Sequence, residues 1–82
     1  MIAFKNEQSG VKTPDVELWR LTKDKRSLVC LERSTQLGPE ILVLLDGDLL
    51  RSELCRPPKD AAELARDWRI ESEKKGWARP DD

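Results

Sequence analysis

The 82-residue chain has no histidine and no tyrosine, one phenylalanine and two cysteines. Without histidine it lacks the commonest general base, the commonest metal ligand and every Ser-His or Cys-His nucleophilic pair. Cys30 and Cys55 are far apart and belong to no CxxC spacing, so they read as buried free thiols rather than zinc ligands or a disulfide framework. Glycine is scarce, and the four, at positions 10, 38, 47 and 76, are scattered turn residues that build no phosphate-binding loop. The longest apolar run is Ile41 to Leu45, far short of the roughly 20 residues a membrane helix needs. The opening MIAFKNEQSG carries no basic n-region and does not read as a secretory signal. An excess of one charge is missing as well: 15 basic side chains face 16 acidic ones, for a net charge of -1, which gives no bulk pull toward nucleic acid or an anionic membrane. The expectation is therefore a cytoplasmic protein without enzymatic activity, bound cofactor or metal.

What is present reads as one small domain. A chain of this length buries only about two-thirds of the surface its unfolded form exposes, so its core is thin. Residues 1–14 read as a flexible or loosely docked arm with Ile2 and Phe4 as apolar anchors, residues 15–79 as the domain, and residues 80–82 as a disordered tail. VELWRLT (16–22) and SLVCLERST (27–35) have the β-branched, aromatic and alternating content of two strands turned by KDKR. QLGPE (36–40) reads as a break, and a second hairpin follows in ILVLLDGDLL (41–50), where Asp46-Gly47 suits the positive φ angles of a type I′ turn. Pro57-Pro58 ends the strand. Asp60 with Glu63 three residues on forms a capping-box-like helix start, Ala61, Leu64, Ala65 and Trp68 share one helical face, Glu71 and Lys75 are spaced to pair, and Gly76 stands where a helix stops. The expected fold is α+β: a small antiparallel sheet of two hairpins, β-β-β-β-α, with one C-terminal helix packed on one face.

Counting faces exposes a problem of cover. With a two-residue turn at Asp46-Gly47, strict alternation pairs Val43 with Leu50 and Leu42 with Arg51. It places Ile41, Val43, Leu45, Leu50 and Leu54 on one face and Leu42, Leu44, Leu49 and Cys55 on the other, with Arg51 and Glu53 among them. The first hairpin gathers Trp19, Leu21, Leu28 and Cys30 and sets Val16, Leu18, Val29 and Leu31 opposite. One helix covers one side only, and a sheet face open to water normally carries polar residues. Either the arm folds over the second face, or bulges shift the register, or another protein or a second copy meets it. The candidate interface is Leu42, Leu44, Leu49 and Arg51.

Trp19, Trp68 and Trp77 invite a stacking platform for single-stranded nucleic acid, although Trp68 on the apolar helical stripe reads as core, with the other two closing around it. Lys23, Lys25 and Arg26 in one turn and Arg56 after the last strand are the candidate contacts for that alternative, a nucleic-acid-binding sheet-plus-helix module.

The combination of WRL (19–21), Cys30 with Glu32, DGDLLRSELCR (46–56) and a terminal helix that carries Trp68 and ends in KKGW (74–77) resembles short uncharacterised bacterial proteins of a family of unknown function. The likeness spans residues 17–77, rests on turns, caps and aromatics, and implies a bacterial cytosolic protein with no catalytic or ligand-binding residues to carry over. A fainter likeness, to plant DNA-binding modules that insert a three-stranded sheet into the major groove, meets leucines where such a sheet has arginines.

Overall fold

The computed structural model describes residues 15–57 and 59–80. The arm expected over residues 1–14, Pro58, and Asp81 and Asp82 of the expected tail lie outside the described residues. Four strands, β1 (Val16–Lys23), β2 (Arg26–Thr35), β3 (Gly38–Leu45) and β4 (Asp48–Leu54), precede one helix, α1 (Ala61–Lys74). The strands form one antiparallel sheet in the order β1-β2-β3-β4, and the helix packs on one of its faces, an α+β domain.

All three turns are tight, because Lys23 pairs with Arg26, Thr35 with Gly38 and Leu45 with Asp48. At the first and last turns both central residues have positive φ, 51° and 69° for Asp24 and Lys25 and 52° and 90° for Asp46 and Gly47. That backbone matches the right-handed twist of the flanking strands. The break expected at QLGPE is instead a third hairpin turn. Gln36 and Leu37 make the loop, and Gly38-Pro39 opens β3 rather than separating two hairpins. Gly38 takes a φ of 122°, open essentially only to glycine. Pro39 falls at the strand's second residue, where the missing N–H removes a rung only at the sheet's end. Thr35 Oγ1 closes the turn, donating to the Gly38 carbonyl at 2.6 Å and accepting from the Leu37 N–H at 3.1 Å.

The helix begins and ends where its capping residues stand. Asp60 is extended and its carboxylate accepts from the Glu63 N–H at 2.8 Å, which satisfies one of the free donors of the first turn. At the other end the Gly76 N–H donates to the Glu73 carbonyl at 3.1 Å and the Trp77 N–H to the Ser72 carbonyl at 3.2 Å, the paired bonds of a Schellman motif. Gly76 sits at φ 103°, so the chain reverses, Trp77 returns to the core, and Ala78 pairs with Thr22 on β1 through bonds of 2.7 and 3.0 Å. Lys23 Nζ donates to the Lys75 carbonyl at 2.7 Å, adding a cation at the negative end of the helix dipole.

The core lies between helix and sheet. Leu21, Leu28, Cys30, Ile41, Val43 and Cys55 meet Ala61, Leu64, Ala65 and Trp68, with Leu18, Trp19, Leu45 and Trp77 packed around them. Each large aliphatic side chain fully removed from water there contributes on the order of 1.5–3 kcal/mol.

Two β-bulges overturn part of the expected face assignment. In β1, Glu17 pairs with Leu31 and Trp19 with Cys30, leaving Leu18 extra; in β4, Leu44 pairs with Leu49 and Val43 with Arg51, leaving Leu50 extra. A bulge sets two residues against one and turns every later side chain to the other face. Leu18 consequently joins Trp19 on the helix side. Arg51 and Glu53 stand opposite Val43 and Ile41 on that side, while Ser52 and Leu54 stand opposite Leu42 and Glu40 on the far side. Cys55, expected among the far-face residues, is in the helix-side core.

Candidate functional site

The face of the sheet turned away from α1 is the candidate site. Register places Glu17 and Arg20 of β1, Val29 and Leu31 of β2, Leu42 and Leu44 of β3 and Leu49 of β4 on it. Leu42 is 5% exposed at the centre, flanked by Leu31 and Ser52. Val29, Leu31 and Leu44 are half-buried, and Leu49 is 59% exposed at the margin. Glu17, Arg20, Ser27, Val29, Leu31, Leu44, Asp46 and Gly47 together line a shallow hollow.

Paired charges rim that hollow. Arg20 grips Glu17 with bonds of 3.0 and 3.2 Å, and the guanidinium holds the Glu17 carboxyl below its usual range. Asp46 accepts from the Ser27 N–H at 2.9 Å and from Arg26 Nε at 3.0 Å, and these two bonds, the backbone one first, lower its pKa. Asp46 thereby ties the β3–β4 turn to the start of β2. An apolar floor thus lies inside a charged rim.

Of the four residues expected at the interface, Leu42, Leu44 and Leu49 share this face and Arg51 does not. The bulge at Leu50 carries Arg51 to the helix side, where its guanidinium lies 3.9 Å from the centre of the Trp68 ring and bonds Glu71 at 3.0 Å. Glu71, spaced to pair with Lys75, reaches Arg51 on the sheet instead. The sequence held a signal for both bulges. Leu18-Trp19 is an adjacent apolar pair turned to one face, and Leu49-Leu50 interrupts alternation where Leu49 joins the far face and Leu50 joins Arg51 on the helix side.

The expected nucleic-acid contacts do not converge. Lys23 caps α1, Arg26 is paired with Asp46, and Lys25 occupies the β1–β2 turn. Arg56 follows β4 at the opposite end of the sheet, roughly 25 Å away at strand rise. The tryptophans form no outward platform. Trp68 is buried, Trp19 and Trp77 pack beside it, and Trp19 Nε1 donates to the Ala65 carbonyl at 2.8 Å.

Both thiols are buried and free. They sit in the helix-side core on either side of the central strand β3, Cys30 in β2 and Cys55 just after β4. Two strand spacings, about 9.5 Å, exceed the reach of a disulfide, roughly 7 Å between Cα atoms. Burial, with help from Cys55 and Glu32, pushes the Cys30 thiol up to about 12. Burial, then Glu32, Glu53 and Asp60, raises Cys55 as well. Neither thiol is activated for nucleophilic chemistry at neutral pH, which needs a lowered pKa. Among the described residues no cluster of three or more His, Cys, Asp or Glu is arranged to hold a metal ion, and no helix is long and apolar enough to cross a membrane.

Fold and surface together define a small α+β domain with a core on one sheet face and a charge-rimmed apolar patch on the other. No family model, no curated protein and no solved structure matches the chain.

Proposed function

We propose that this is a protein-interaction module that binds its partner, another protein or a second copy, through the sheet face opposite α1. The apolar set Val29, Leu31, Leu42, Leu44 and Leu49 on that face carries the reading. These residues lie outside the helix-side core, and the ion pairs Arg20–Glu17 and Arg26–Asp46 border them. The patch supplies area and the rim supplies orientation. A cytoplasmic setting fits two free thiols and a chain without a disulfide framework.

Leu44→Arg tests the reading. Leu44 belongs to the far face and is half-buried, so the substitution places a charge on the patch while the helix-side core stays whole. Capture of partners on immobilised protein is expected to fall at least tenfold, with the circular dichroism spectrum and urea midpoint little changed. Unaltered capture by a folded Leu44→Arg protein would reject the face as the binding surface.

A further inference from the structure

The edge of the sheet offers a second surface with its own geometry. Every residue of β4 from Asp48 to Glu53 is exposed, and Leu49 and the bulge residue Leu50 are 59% and 56% exposed. On its inner side β4 pairs with β3, and among the described residues nothing pairs with its outer side. The opposite edge, β1, is partly occupied, since Ala78 bonds Thr22 there.

The hydrogen-bond pattern fixes which groups of β4 point outward. Just past β4, the Cys55 N–H donates inward to the Pro39 carbonyl at 2.8 Å. Antiparallel ladders alternate, so Glu53 and Arg51 also face β3, while Leu54 and Ser52 turn their N–H and C=O groups away from it. A copy related by a two-fold axis must set each residue against one of the same orientation, which leaves few registers. Centred on Arg51, the pairing puts Arg51 against Arg51 of the copy; centred on Glu53, it puts carboxylate against carboxylate. Centred on Ser52, it matches the outward backbone groups of the two serines. It also sets Arg51 against Glu53 of the copy on the helix side, and Glu53 against Arg51. Opposite charges directly across a strand pair are favourable and like charges unfavourable.

We infer that β4 is a homodimerisation edge, on which a second copy of this chain adds antiparallel about an axis at Ser52 to form one continuous eight-stranded sheet. This goes beyond the face-binding reading, because it uses backbone groups and charges of the edge, and it leaves the sheet face opposite α1 outside the seam between the copies. The side chains that choose the register, Arg51 and Glu53, also repel the neighbouring registers. An edge that would otherwise invite unspecific strand pairing therefore accepts one alignment.

A charge-exchange mixture, followed by light scattering behind a sizing column at two loadings in reducing buffer, tests the inference. The unaltered protein is expected at twice its 9.4 kDa mass. Glu53→Arg alone sets arginine against arginine and Arg51→Glu alone sets glutamate against glutamate, so each is expected as a monomer. Mixed in equal amounts, the two restore opposite charges at both positions, and the dimer is expected to return. Ser52→Pro serves as a control independent of Arg51's contacts with Trp68 and Glu71, since it removes an N–H that points away from β3; it is expected to be monomeric with its circular dichroism retained. A monomeric unaltered protein at both loadings, single variants that stay dimeric, or a mixture that stays monomeric would each overturn the inference. Dimerisation that survives these edge variants and disappears in Leu44→Arg would assign self-association to the apolar face instead.

Discussion

Asp46 and the two cysteines are the residues whose chemistry the fold most plainly sets. Asp46 takes a left-handed backbone that aspartate tolerates and spends its carboxylate on Ser27 and Arg26. Its folded pKa is lowered, so its contribution is present above the ordinary carboxylate pKa and is lost as pH falls through the folded value. The thiols behave in the opposite sense. Cys30 holds its proton up to about 12, so the unfolded chain gives up this proton at lower pH than the folded one. The stabilisation is complete below the ordinary thiol pKa and is lost progressively as pH rises from about 8.5 toward that folded value. Urea midpoints measured from pH 8 to 11 are expected to fall less steeply for Cys30→Ala than for the unaltered protein, because the other groups, Cys55 included, are common to both and the Cys30 thiol is present in only one; equal slopes would contradict this. That both thiols are buried was legible from their isolation in the sequence. Their lying on the same face was not, because the bulge at Leu50 moved Cys55 across the sheet.

Among the elements, the turns and the helix were the most legible and the strand faces the least. Helix signals are local: Asp60 three residues before Glu63, a stripe of four apolar residues and Gly76 at the end specify α1 without reference to the rest of the chain. Asp46-Gly47 is equally local. Strand faces are read by counting in twos, and a single inserted residue reverses every later assignment, which is how Arg51 came to be expected beside Leu42. The first hairpin turn shows the reverse case, a geometry adopted without the residue that suits it best. Lys25 sits at φ 69° although a Cβ disfavours that region by roughly 1–2 kcal/mol. Lys25→Gly is expected to raise stability by about 1 kcal/mol, net of the freedom glycine adds to the unfolded chain, and urea denaturation reads the change directly. A lowered midpoint would mean that the lysine side chain makes a compensating contact.

Across the whole molecule, the helix is fastened to the sheet by devices of different reach. Trp68 and the small alanines fill the space between them, Trp19 bonds the Ala65 carbonyl and Arg51 reaches Glu71. Beyond the helix, Trp77 and Ala78 bring the chain back to β1. Trp77→Ala removes the half-buried ring that holds this return in place. It is expected to cost roughly 2 kcal/mol, below the 3–5 typical of a fully buried aromatic. Amide exchange should locate the effect, with the Thr22 N–H, which donates to Ala78, gaining more in rate than the Leu28 amide. Uniform acceleration would show that the return has no local role.

The rung between Thr22 and Ala78 also bears on stoichiometry. A sheet able to add strands at both margins grows without limit, as fibres do. Here, among the described residues, the chain's own C-terminal segment occupies part of one margin, at Thr22, and no segment occupies the other. On the pairing inferred for β4, a few residues beyond the helix that bond the opposite margin favour a single addition over a growing sheet.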